Sequence, residues 1–149
     1  MTNLNLPLAV SPELASRFVD AANMPWEKTR FPGIEQKMLM MDQRTGMFTA
    51  LMKMAPGARL PDHEHARIEQ TYVIEGSLVC PEGECHAGQF VWRPAGSRHI
   101  AWAGAKGGVF LGIFQIPNKF FEHDGRVTDA NGADWESVWG EVLRDPRND

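Results

Sequence analysis

Apolar residues in this chain fall in short runs interrupted by glycine and proline, a pattern that predicts strands rather than long helices. Residues 34–41 read Ile-Glu-Gln-Lys-Met-Leu-Met-Met, and residues 47–54 read Met-Phe-Thr-Ala-Leu-Met-Lys-Met. The turn signal Asp42 to Gly46 joins them. The first run is a strand by context only, because its intrinsic preference is helical. Pro56-Gly57 stops the second. Further strands are expected over 58–65, 69–75, 77–80, 90–93 and 98–102, with a loop at 104–108. Val109 to Ile116 is almost unbroken in apolar character, as in a strand buried on both faces. Many short strands with Gly/Pro turns indicate an all-β sandwich or barrel.

The two ends read differently. Residues 1–10 suggest an irregular arm. Ser11-Pro12-Glu13 is a helix-start signal, and Leu14 and Phe18 share a helical face. A short helix or turn over 12–17 competes with a strand at 18–20. Gly125 to Gly132 is polar and turn-rich. Beyond it, Trp135, Val138, Trp139 and Val142 recur at helical spacing after Asp134, a candidate N-cap. This predicts a short amphipathic helix packing its tryptophans on the barrel. The division expected is one domain over 1–149, with an arm (1–24), a core barrel (25–123) and a tail with a short helix (124–149).

Composition narrows the function classes. With 149 residues, 43% hydrophobic and 23% charged, the chain has the profile of an ordinary globular domain. A formal charge of -4 and the lack of a basic block disfavour nucleic-acid binding. No apolar run approaches the ~20 residues of a membrane span, and the start lacks a basic region and a long apolar core. The cytoplasm is therefore the expected location. Cys80 and Cys85 flank the turn Glu82-Gly83-Glu84 and are expected as free thiols in a reducing compartment. The methionines of 38–54 are expected as core filler rather than metal ligands. His86 and His123 are expected at the surface.

The chemistry lies between Gly57 and His99. His63, His65 and Glu69 form His-x-His-x-x-x-Glu, and His99 follows Pro94-Ala95-Gly96 on a separate segment. Residues two apart on a strand share a face, so an extended segment projects His63 and His65 the same way. A turn at 66–68 brings Glu69, at the head of the next strand, back beside them. Three imidazoles and a carboxylate suit a divalent first-row ion, and such a set leaves coordination positions open for a ligand.

These residues also carry a resemblance. Gly57, five residues, His63-Glu64-His65, three residues, Glu69, six residues, Gly76 fits the first motif of the cupin superfamily without a gap. Gly88, five residues, Pro94-Ala95-Gly96, two residues, His99 fits the second. The second motif usually ends in Asn four residues after its His, and here that position is Ala103; Asn is not a ligand in the family. Pro25-Trp26, Phe31-Pro32-Gly33 and Pro117-Asn118-Lys119-Phe120-Phe121 extend the similarity toward small cupins. Those cupins are related to acetylacetone-cleaving dioxygenases and to the cupin domain of zinc-binding anti-sigma factors.

The resemblance implies a cupin double-stranded β-helix, a jelly-roll barrel with short terminal helices, holding one metal ion through His63, His65, Glu69 and His99. It implies Fe(II), with Zn, Mn or Ni as alternatives, and a homodimer. The activity implied is that of a non-haem Fe(II) dioxygenase cleaving a small β-dicarbonyl or other chelating substrate with dioxygen. A Zn- or Mn-dependent isomerase or hydrolase, and a non-catalytic metal- or ligand-binding sensor, remain open. Phe48, Met52, Met54, Val73, Trp92, Trp102, Phe110 and Phe114 are the available pocket wall. Glu69 is the candidate base. Arg93 can hold an anion or polarise an enolate, Gln70 and Gln115 can orient a ligand, and Arg98 is expected as a surface charge.

Overall fold

The computed structural model describes residues 10–148. Ten antiparallel strands curl into a barrel-like sheet: β1 (Glu27–Lys28), β2 (Ile34–Met41), β3 (Phe48–Met54), β4 (Arg59–Glu64), β5 (Glu69–Cys80), β6 (Gly83–His86), β7 (Phe90–Arg93), β8 (Arg98–Phe114), β9 (Lys119–Phe121) and β10 (Val127–Thr128). The all-β jelly-roll class expected from the sequence is the class found. Hydrogen bonding orders the strands β1-β2-β3-β8-β4-β9-β10, while β5 pairs with β6, β7 and β8.

Strand β8 is the hinge of this arrangement. Its first part, from Arg98 to Trp102, lies between β4 and β5, and its second part, from Gly108 to Phe114, lies between β3 and β5. The loop expected at 104–108 is instead part of this strand. The ladder with β5 jumps from Leu78↔Ala103 to Gly76↔Gly108, so residues 104–107 form a wide bulge that turns the strand from one wall into the next. Glycine makes the corner possible. Gly76 and Gly107 both have positive φ, and a Cβ on Gly76 would collide with the Gly107 carbonyl. For the same reason the two strands expected at 69–75 and 77–80 run together as one, kinked at Gly76.

Parity along β5 sets the two faces of the wall. Glu69, Thr71 and Val73 are buried, while Tyr72 and Ile74 are exposed. Of the inner residues, Val73 joins Phe31, Ile34, Met54, Ala103, Phe110 and Phe120 in the main core. The helical preference of 34–41 is overridden because pairing with β3 buries Ile34 and Lys37. Lys37 donates from Nζ to the Ala21 carbonyl at 2.7 Å and lies 4.7 Å from the Trp26 ring, tying the N-terminal segment to β2.

The termini depart in part from expectation. Most of the 1–10 arm lies outside the described residues. Residues 12–14 form a turn and 18–20 are not a strand, so neither a helix nor a strand forms there; Leu14 and Phe18 are left exposed. The C-terminal helix is present. It opens as a π-helical turn, Glu136–Gly140, and continues as α1 (Glu141–Arg144). Asp134 caps it, its Oδ2 accepting from the Ser137 amide at 2.9 Å. Trp135 and Trp139 are buried against Ile116, with Val142 beside them, but Val138 is exposed. The wider π turn brings residues four apart into line and rotates Val138 out. Among the described residues, no helix is long and apolar enough to cross a membrane.

Candidate metal centre

Three strands converge on the cluster. The β4·β8 register sets His63 opposite His99, and on its other side His63 faces Phe120 of β9. The ladder then runs one step past β4: the His65 amide donates to the Ser97 carbonyl at 2.9 Å, and the Gly96 amide donates to the His65 carbonyl at 2.7 Å. The Pro94-Ala95-Gly96 turn is thus stitched to the backbone of His65. The two-residue parity read for His63 and His65 therefore holds, and all three rings enter the same interior. Ring centroids lie 4.7 Å (His63–His99), 4.9 Å (His65–His99) and 5.0 Å (His63–His65) apart. One nitrogen from each ring falls within 4.8 Å of the others.

Hydrogen bonds decide which nitrogens stay free. His63 Nδ1 must donate to the Pro61 carbonyl, 2.7 Å away, because a carbonyl only accepts. His65 Nδ1 lies 2.8 Å from Ser97 Oγ, whose own hydroxyl donates to the Pro94 carbonyl at 2.7 Å. His65 Nδ1 is then the donor to Ser97, and the Nε2 lone pairs of both rings are left for a ligand. His99 Nδ1 is buried and without a hydrogen-bond partner. Burial drives the His63 pKa down against the pull of Glu69. Burial, Arg93 and the other two imidazoles together drive that of His99 down to about 3. Both rings are therefore neutral near pH 7, the form that binds metal.

Glu69, expected as the fourth ligand, lies beside the set rather than within it: only the three imidazoles bring their nitrogens within 4.8 Å of one another, and the carboxylate meets the cluster on the His65 side. It opens β5 between Arg93 of β7 and Phe114 of β8. Its Oε2 lies 2.9 Å from His65 Nε2 and accepts from Asn118 Nδ2 at 3.2 Å, and its Oε1 accepts from Thr71 Oγ1 at 3.3 Å. Burial pushes the carboxyl pKa up, but the His65 contact, the charge interactions with His65 and His63 and the Asn118 amide outweigh it and hold the pKa at about 2. An anionic carboxylate oxygen thus faces a ring nitrogen whose partner nitrogen is already committed as a donor. Two lone pairs at 2.9 Å repel unless a cation stands with them. A proton on His65 meets that need, and so does a metal ion. A metal ion would also take up the converging nitrogens of His63 and His99, so the three imidazoles, with Glu69 beside them, fit a divalent cation.

A second group, Cys80, Glu82 and His99, also has ligating atoms within 4.8 Å of one another. There the place of a cation is taken by the guanidinium of Arg93, 3.7 Å from Cys80 Sγ and 4.0 Å from Glu82 Oε1. The thiols of Cys80 and Cys85 are free, and the β5·β6 register sets them opposite Gly83 and Leu78 rather than each other.

The cluster opens on a cavity of about 100 Å³. Of the expected wall, Phe48, Met52, Met54, Phe110 and Phe114 line it, while Val73 is buried in the adjoining core. Trp92 points outward and is exposed, and Trp102 packs on Arg59. Arg93 reaches the cavity. Gln70 does not: it follows Glu69 on β5, so its side chain is on the opposite face, beside Trp92. Gln115 is exposed, as are His86 and His123. Arg98 pairs with Asp62 at 2.9 Å on the surface, as expected. The polar supports that sequence reading missed are Pro61, Thr71, Ser97 and Asn118. Thr71 was open to a parity argument from Glu69. Asn118, at the far end of a loop, carried no local signal.

A family model for the ChrR cupin-like domain matches residues 15–117. The chain belongs to this cupin family. No curated protein sequence matches it. Among solved structures, this cupin is similar to an acetylacetone dioxygenase from Acinetobacter johnsonii: TM-score 0.71, 17% identity, 92% of this chain and 99% of that one. It is similar to an RmlC-like cupin protein from Ralstonia eutropha JMP134: TM-score 0.69, 20% identity, 89% and 87% covered. A chain in the complex of Rhodobacter sphaeroides SigE with the anti-sigma ChrR gives TM-score 0.55 at 21% identity, with 63% and 50% covered. At these identities the likeness is one of fold, and the fold is shared by a protein described as an enzyme and by one described as an anti-sigma factor.

Proposed function

We propose that this cupin is a mononuclear metal-dependent enzyme, with His63, His65, His99 and Glu69 as ligands. We further propose that it is a non-haem Fe(II) dioxygenase acting on a small chelating substrate of the β-dicarbonyl type. The observation that carries the reading is the convergence of three imidazoles, each with a nitrogen within 4.8 Å of the others, beside Glu69 at the edge of a cavity. A structural site has no use for that space. Fe(II), held by these residues, would supply Lewis acidity toward substrate oxygens and the redox chemistry that a dioxygenase needs.

The chain's own residues do the rest. Ser97 and the Pro61 carbonyl fix the rings of His65 and His63, so no reorganisation is needed when a ligand arrives. Phe110, Phe114 and Met52 exclude water and select an apolar carbon skeleton. Glu69, once off the metal, is the cavity-lining carboxylate that would accept a proton from the carbon between two carbonyls, with Asn118 and Thr71 holding it in place. A homodimer would cover the outer face of β5 and β7, where Tyr72, Ile74, Phe90 and Trp92 are exposed together; sedimentation velocity tests that.

The deciding experiment loads metal-free protein with Fe(II), Zn(II) or Mn(II) and follows oxygen uptake with acetylacetone and related diketones. Uptake with iron alone is the expected result. Turnover without oxygen uptake under Zn or Mn points to an isomerase or hydrolase. Tight metal binding with no turnover across the panel points to a sensor. Glu69→Gln should retain metal through the three imidazoles at reduced affinity and lose proton abstraction; identical binding and turnover would remove Glu69 from the site.

A further inference from the structure

Resting on that reading of the site, we infer that the substrate is an acid anion, with a carboxylate held by Arg93 while its other oxygens face the imidazole cluster. Arg93 is the last residue of β7, and its side chain is 9% exposed. Its two polar contacts are poor. Cys80 Sγ at 3.7 Å is a weak acceptor. Glu82 Oε1 stands at 4.0 Å on a side chain that is 80% exposed, so water screens the pair. A guanidinium offers five N–H donors and does not shed its charge near neutral pH. Neither contact neutralises the guanidinium, and a cation at this depth favours a counter-anion.

The place to find one is the cavity. Arg93 lines it together with His63, His99 and Glu69. Glu69 is committed to His65, Asn118 and Thr71 and is not an acceptor for Arg93. Charge gives the ligand its class. Among the groups that line the cavity, a divalent ion and Arg93 against Glu69 leave an excess of two positive charges, with Glu82, 4.0 Å from Arg93, offsetting little of it because its side chain is 80% exposed and screened by water. An enolate answers one of them and a carboxylate the other. The substrate class is therefore a short, otherwise apolar oxo acid whose enolisable dicarbonyl faces the metal and whose carboxylate meets the planar fork of Arg93. Arg93 also borders an open outer cleft of about 510 Å³ walled by Cys80, Glu82, Cys85 and Phe90. It can thus meet an anion arriving from solvent as well as one already inside. The guanidinium acts on the ligand and not as a ligand to the metal.

The test uses Zn(II)-loaded full-length protein, which binds without oxidising, and two probes: acetylpyruvate, which joins a β-diketone to a carboxylate, and its methyl ester. Titration calorimetry should give acetylpyruvate an affinity at least about tenfold higher than the ester's, as a charge-assisted contact implies. Arg93→Met and Arg93→Gln should abolish that ratio while Zn content and ester affinity stay unchanged, and Arg93→Lys should restore part of it. A ratio near unity in the wild type, or one that survives in both variants, overturns the proposal. If the protein takes up no metal, the dioxygenase reading fails separately. The Arg93 contact is then read on metal-free protein as a thermal shift by acetylpyruvate, which must exceed the ester's shift in the wild type and vanish in Arg93→Met. Absence of that difference overturns it there too.

Discussion

The barrel interior and the C-terminal flank are both apolar cores, yet one keeps a cavity and the other is filled. In the flank, Trp135 and Trp139 pack on Ile116 with Met41, Ala66, Val127, Val142 and Leu143 around them, and Trp135 Nε1 donates to the Pro117 carbonyl at 2.9 Å. In the barrel, Phe110, Met54 and Phe120 belong to one buried cluster but also line the cavity beside the imidazoles. The difference is one of freedom to collapse. Apolar side chains close on each other, whereas rings fixed by Pro61 and Ser97 cannot move inward without breaking buried hydrogen bonds. The flank uses its burial for stability. The barrel uses fixed polar groups to hold space open.

That contrast can be broken from either side. The largest effect is expected from His63→Ala: stoichiometric metal is lost on elemental analysis after dialysis, while circular dichroism still reports the barrel. Loss of the strand signal together with the metal would mean that the ring holds up the fold rather than a ligand. Trp135→Ala should cost about 3–5 kcal/mol in chemical denaturation, the usual range for emptying a buried tryptophan site, with metal per folded molecule unchanged. A metal deficit in that variant would show that the flank and the barrel are not independent. Ser97→Ala frees the His65 ring and should weaken metal binding by about 10–100-fold in chelator competition, with little change in folding midpoint.

The smallest effect concerns pH. The hydrogen bond from Arg98 holds the Asp62 carboxyl below its ordinary value against a small opposing effect of burial. A depressed folded-state pKa adds stability above the unfolded value near pH 4 and loses it as the pH falls through the folded value. The pair is about half exposed, so water and salt screen it. Asp62→Asn should therefore lower the melting temperature slightly at neutral pH and by less at pH 2. An equal loss at both pH values would assign the effect to packing.

How much of this was legible beforehand follows from the range of each determinant. The ligand candidates, the turn before His99 and most strands were readable because spacing, parity and Gly/Pro punctuation act within a few residues. The errors have long-range causes. Residues 104–107 look like a loop, but β5 pairs across them and makes them a strand corner. Gln70 looks like a neighbour of the site because it adjoins Glu69 in sequence, and the same parity that brings Glu69 inward turns it out. Val138 fits a helical face that a π turn then shifts. Asn118 lies far from Glu69 along the chain and reaches it only because β9 pairs with β4.

The sequence by itself determined which side chains can bind a metal, that they lie on strands, and which of them share a face, since those properties depend on residue type and a two-residue period. Only the tertiary structure decided which nitrogens are free, which carboxylate stays ionised, and that Arg93 ends buried beside the cluster without an adequate partner. Protonation and charge compensation depend on distances of a few ångströms between segments that the chain brings together only when the barrel closes.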